Sequence, residues 1–119
     1  MTRHDDSTRI RHMLDHATEA VEMADARTRA ELDSDRQLNL ALVRLLEIVG
    51  EAAGRVSAET RNQTTHIPWP EIVGLRNRLI HGYDEVDFDI LWNIVREDLP
   101  PLIAALHEML DVESSESTF

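Results

Sequence analysis

The chain has 119 residues, the length of one domain, and a chain of this size buries about two-thirds of the surface its unfolded form exposes. It contains no cysteine, which excludes a disulfide framework, a thiolate zinc site and a cysteine nucleophile. Its 12 basic residues are all arginine against 23 acidic ones, a net charge of −11; this rules out Schiff-base lysine chemistry and disfavours non-specific nucleic-acid binding. In chain order, a first helix is predicted from Asp6 or Ser7 to about Arg29. Ile10, Leu14, Ala17, Val21 and Ala24 make its apolar face. Ser34 and Asp35 restart the chain as a cap. Leu38, Ala41, Leu42, Leu45, Leu46, Val49, Ala52, Ala53 and Val56 then form the widest apolar stripe. Gly50 lies in the middle of that stripe. Glycine costs a helix about 1 kcal/mol relative to alanine, so a close helix–helix approach is expected there.

Ser57 to Ile67 is polar and reads as a loop. Pro68-Trp69-Pro70 punctuates it, and Pro70 suits the first turn of a third helix. That helix is predicted to run through Ile72, Val73, Leu75, Leu79 and Ile80 to about His81, with Gly82 ending it in a left-handed conformation. Asp87 or Asp89 caps the next helix, which carries Phe88, Leu91, Trp92, Ile94 and Val95. Pro100-Pro101 is expected to break or kink it. Leu102, Ile103, Leu106, Met109 and Leu110 give a final amphipathic segment. The pattern predicts an all-α compact bundle of four to five helices in one domain over 1–119, with frayed tails at 1–6 and 112–119. No apolar run reaches the roughly 18 residues of a membrane span, and the opening Met1-Thr-Arg-His-Asp-Asp is no signal peptide. A soluble cytoplasmic protein is expected.

The chemistry concentrates in Arg76-Asn77-Arg78-Leu79-Ile80-His81-Gly82-Tyr83. Asn77 and His81 are four apart and would share a helix face. Arginine is always charged and grips phosphate oxygens through two parallel hydrogen bonds. Histidine can move a proton near neutral pH. RNA supplies its own nucleophile, the 2′-hydroxyl. A base beside that hydroxyl and a cation on the phosphate suffice for transesterification to a 2′,3′-cyclic phosphate without a metal or cofactor. The same residues also have a purely structural reading: His81 as a dipole partner at a helix end, and Arg76 and Arg78 as partners of the abundant carboxylates.

Other constellations are weaker. His12 and His16, with Glu19 following, have helical spacing for zinc but lack a third strong ligand. Glu47 and Glu51 flank Gly50 one turn apart. They read as structural, as partners for arginines near the third helix or for Arg44. His66 and His107 have no evident partners. Trp69 and Trp92 sit among apolar positions and read as packing anchors.

Arg76 to His81 fits an R-x4-H signature, extended by Tyr83 to R-x4-H-x-Y. With Ile67-Pro-Trp, Leu79-Ile80-His81 and Val86-Asp87, it resembles the HepT-like branch of the HEPN superfamily. Arg9-Ile-Arg-His-Met-Leu, Leu46-Glu-Ile-Val-Gly-Glu-Ala52 and Glu97-Asp-Leu-Pro-Pro-Leu-Ile extend the resemblance from about Arg9 to Leu110. The resemblance implies a helical homodimer whose two motifs meet in a cleft. It implies a metal-independent endoribonuclease toxin of a toxin–antitoxin system, acting on RNA. It further implies an MntA-like nucleotidyltransferase antitoxin as partner, which silences the toxin by AMPylation of the motif tyrosine. Carried over, Arg76 and His81 are catalytic, Asn77 and Arg78 supporting, and Tyr83 the modified residue. Asp84, Glu85, Asp87 and Asp89 follow at once and would oppose RNA unless they point away or hold the arginines in place. A rival reading is a non-catalytic helical binding module that partners a nucleotidyltransferase.

Overall fold

The computed structural model describes residues 4–82 and 85–117. Among these residues it is all-α, apart from one hairpin of two two-residue strands. Helix α1 (His4–Ala24) packs on α3 (Arg36–Gly54) and on α8 (Leu99–Ser117), and these three long helices form the body of the bundle. Ile10, Met13, Leu14, Ala17, Ala20 and Ala24 line the buried side of α1, recurring at helical spacing. Leu38, Leu42, Leu45, Leu46, Val49, Ala52 and Ala53 do the same on α3. Leu99, Leu102, Leu106, Met109 and Leu110 close the core from α8.

The first helix ends earlier than its sequence suggests. Ala26 takes the left-handed region at φ 61°, and the chain turns away after Ala24. A short α2 (Glu31–Ser34) leads to Asp35, the expected cap. The Asp35 carboxylate accepts from Leu38 N at 3.0 Å and pairs with Arg27. The Leu38 amide first, then the Arg27 guanidinium, hold its pKa below the ordinary carboxylate range.

Three further differences have local causes. The stretch after α3 is not all loop: α4 (Ala58–Asn62) forms because Ser57 caps it, its hydroxyl accepting from Thr60 N. Asp6 is not in a frayed tail; it lies inside α1 and is buried. It accepts from Ser57 N at 2.9 Å, Ser57 Oγ at 2.6 Å and Thr60 Oγ1 at 2.6 Å. This ties the start of the chain to the cap of α4. At the other end the backbone is helical through Ser117, where fraying was expected.

Pro100 and Pro101 do not break the last helix. The preceding residues, Ile94–Asp98, form a π-helical stretch, with Leu99 N donating to Ile94 O. The wider turn relieves the clash between each proline ring and the carbonyl four residues back. The helical path from α7 (Phe88–Asn93) therefore continues into α8.

Gly50 has the close approach that its position requires. A Cβ there would sit 3.0 Å from Ile72 O, so α3 presses on the backbone of α5 (Trp69–Val73). Trp69 is buried as an anchor, its Nε1 donating to Thr64 O at 3.3 Å. Trp92 is partly buried against the core, with Arg96 over its ring at 5.6 Å.

Candidate functional site

The predicted third helix is two short helices followed by a strand. Gly74, with φ −85° and ψ 9°, separates α5 from α6 (Leu75–Leu79). Ile80 is extended, at φ −105° and ψ 118°. It begins β1 (Ile80–His81), which pairs antiparallel with β2 (Glu85–Val86) in the register Ile80↔Val86 and His81↔Glu85. Asn77 and His81 therefore do not share a helix face. β-Branched Ile80 fits the pleated ladder, and Asp87 N closes the hairpin by donating to Leu79 O at 2.9 Å. Gly82 is left-handed as expected, at φ 70°, in the hairpin turn rather than at a helix end. Tyr83 and Asp84 lie outside the described residues.

The site residues fall into three local settings. Arg76 is 71% exposed on α6, its Nε 3.7 Å from Glu47 Oε2 on α3. With Asn77 it borders a cavity of about 370 Å³ walled by Glu47, Gly50, Glu51, Gly54 and Val73. Arg78 is directed elsewhere, its Nη2 3.5 Å from Asp98 Oδ2 in the π-helical stretch. It borders an apolar groove of about 510 Å³ that also includes His66. His81 is 55% exposed on the hairpin, its Nε2 3.6 Å from Asp87 Oδ2. The other Asp87 oxygen caps α7, accepting from Ile90 N at 3.0 Å. The chain thus presents its guanidinium and imidazole on separate elements, each beside its own carboxylate.

Two of the acids that follow the motif hold positive or titratable groups. Asp87 faces His81, and Asp89 Oδ1 accepts from Arg29 Nε at 2.7 Å. Glu47 meets an arginine of the third helical segment, as its position on α3 suggested, and Arg44 pairs with Glu51 at 3.5 Å. The contact of Asp87 with His81 was not foreseen. Its sequence signal is an acid six residues after a histidine across a glycine-containing turn, which brings the two together only if a hairpin forms.

His12 and His16 form a local pair: a His16 ring nitrogen lies 2.6 Å from His12 O, and the rings meet edge to face at 6.4 Å. Among the described residues, no group of three or more histidine, aspartate or glutamate side chains converges as a metal site. Nor is any described helix long and apolar enough to cross a membrane.

The all-α bundle thus carries an exposed arginine and an exposed histidine at R-x4-H spacing. Residues 13–109 match the ribonuclease HepT-like family, and the chain belongs to it. A protein of Methanocaldococcus jannaschii named as an RNase is 34% identical over 102 residues, covering 86% of this chain and 94% of its own. Another so named, from Caldanaerobacter subterraneus, is 33% identical over 104 residues, covering 87% and 93%. A protein of Thermococcus cleftensis named as ribonuclease HepT is 36% identical over 93 residues, covering 75% and 84%. No solved structure matches.

Proposed function

We propose that this chain is an endoribonuclease toxin that cleaves RNA by attack of the 2′-hydroxyl, with Arg76 and His81 as its catalytic groups. The observation that carries the reading is the exposure of both side chains, 71% and 55%, at R-x4-H spacing within the part of the chain that matches the ribonuclease HepT-like family. His81 takes the 2′-hydroxyl proton. The 2′-oxygen then bonds to phosphorus, the bond from phosphorus to the 5′-oxygen breaks, and that oxygen collects a proton from an acid or water. Arg76 stabilises the charge that builds on the phosphoryl oxygens. Asn77, beside Arg76, supports the phosphate, and Arg78 supports the RNA from its own groove. Two copies of the chain bring their motifs together in a cleft. The chemistry needs no metal and no cofactor, because the nucleophile belongs to the substrate.

Control is assigned to Tyr83, two residues beyond His81. AMPylation by an MntA-like nucleotidyltransferase antitoxin adds a negative phosphodiester and a bulky purine where the RNA phosphate must approach, and like charge repels the substrate.

Purified protein is expected to cut RNA in EDTA and to leave 2′,3′-cyclic phosphate ends. His81→Ala should abolish cutting with the melting temperature unchanged. A variant that cuts like the parent would refute the assignment. A parent that binds a nucleotidyltransferase yet cuts no RNA pool would favour the non-catalytic module instead.

A further inference from the structure

We infer that Asp87 is the positioning residue for His81, holding the imidazole by its Nε2 edge so that Nδ1 is the nitrogen offered to the 2′-hydroxyl. The inference rests on the ribonuclease reading above and names a residue to which that reading gives no role.

Asp87 is fixed at two points. Its backbone N–H donates to Leu79 O at 2.9 Å, closing the hairpin. Its Oδ1 accepts from Ile90 N at 3.0 Å and caps α7. What remains is Oδ2, 3.6 Å from His81 Nε2. The ladder register explains why these two side chains meet. His81 lies opposite Glu85, and Asp87 is the diagonal neighbour two residues on, on the same face of the hairpin. The cap and the ladder together determine where the free oxygen points, and the histidine lies there.

Capping alone does not call for a carboxylate. Serine and asparagine cap a helix about as well as aspartate. Only aspartate adds a second anionic oxygen at the reach of the histidine. At 3.6 Å the contact is longer than a hydrogen bond and becomes an ion pair only once the imidazole is protonated, so it gains most when the imidazole becomes charged. That happens as the 2′-hydroxyl proton is transferred. An interaction that strengthens in the transition state acts on kcat, with little effect on KM.

Asp87→Asn and Asp87→Ser separate this role from capping. Both keep an α7 cap, and both remove the anion beside His81. Steady-state cleavage of bulk RNA in EDTA would be measured for the parent, both variants, His81→Ala and the His81→Ala/Asp87→Asn double variant. Rates are read well below each melting temperature. Each Asp87 variant is expected to lose about 10–100-fold in kcat, a share of the roughly 10²–10⁴-fold that acid–base catalysis supplies. KM should stay within about twofold, since the interaction is made mainly in the transition state. The double variant should be no worse than His81→Ala alone, as coupled residues are not additive. Parent-like kcat in either variant, or a loss carried by KM, overturns the inference while an inactive His81→Ala leaves the ribonuclease reading standing. An active His81→Ala removes the reading and the inference together.

Discussion

Arg76 carries the same charge that a lysine would, so the use at a phosphate proposed for it depends on shape. The planar guanidinium offers parallel donors that match two phosphate oxygens, whereas an ammonium is a point charge. Arg76 contacts Glu47 through Nε and remains largely exposed, which suits its outer edge to a phosphate. Arg76→Lys tests shape against charge. Loss of a donor aimed at transition-state charge typically costs about 10²-fold or more in kcat, and that loss is expected here. The melting temperature should stay at the parent value, because Arg76 is largely exposed and lysine keeps the positive charge that faces Glu47. A lysine variant with parent kcat would mean that charge alone suffices at this position.

Among the elements, the contact of α3 with α5 decides where Arg76 stands. Gly50 lets the Ile72 carbonyl approach within 3.0 Å of where a Cβ would be, so Gly50→Ala must push backbone against backbone. Overpacking of this kind costs about 1–3 kcal/mol, a fall of roughly 3–18 °C in melting temperature. Cleavage should fall as well, because the displaced helix leads directly into α6. Gly54→Ala is the control: its Cβ would meet only Val73 Cγ1 at 4.0 Å. It should melt at or slightly above the parent temperature. Equal melting of the two variants would show that the α3–α5 contact yields without cost. The same elements show what the sequence could reveal. The caps at Asp35 and Asp87 and the stripe on α3 were legible because each is a local pattern of at most a few turns. The strand at Ile80–His81 was not, because Leu75, Leu79 and Ile80 continue a helical rhythm and only the pairing with Val86 pulls the chain out of it. Neither was the path through Pro100-Pro101, since two prolines signal a break unless a wide turn precedes them. The Asp6–Ser57–Thr60 network joins residues more than fifty apart and has no sequence signature.

For the whole molecule, the question is how a chain of net charge −11 engages a polyanion. The molecule measures 51 × 30 × 20 Å, and the reach of its field depends on salt. At 0.01 M the screening length is about 30 Å, so RNA at the site feels nearly every carboxylate on the body; at 0.15 M it is about 8 Å and only the nearby groups count. Nearby, Arg76 is exposed, whereas Asp87 and Asp89 are engaged with His81 and Arg29. Raising salt from the lowest value therefore removes repulsion before it weakens the local contacts with phosphate. The expected kcat/KM rises from about 0.01 M salt, peaks near physiological strength, where the screening length has shortened to about 8 Å, and falls beyond it as phosphate contacts lose to counterions. A basic RNA-binding protein falls monotonically over the same range. Initial rates at fixed low RNA concentration across the salt series distinguish the two. A monotonic fall here would mean that the acidic surface lies too far from the RNA path to matter, and that the groups around Arg76 are basic enough to govern encounter at every ionic strength.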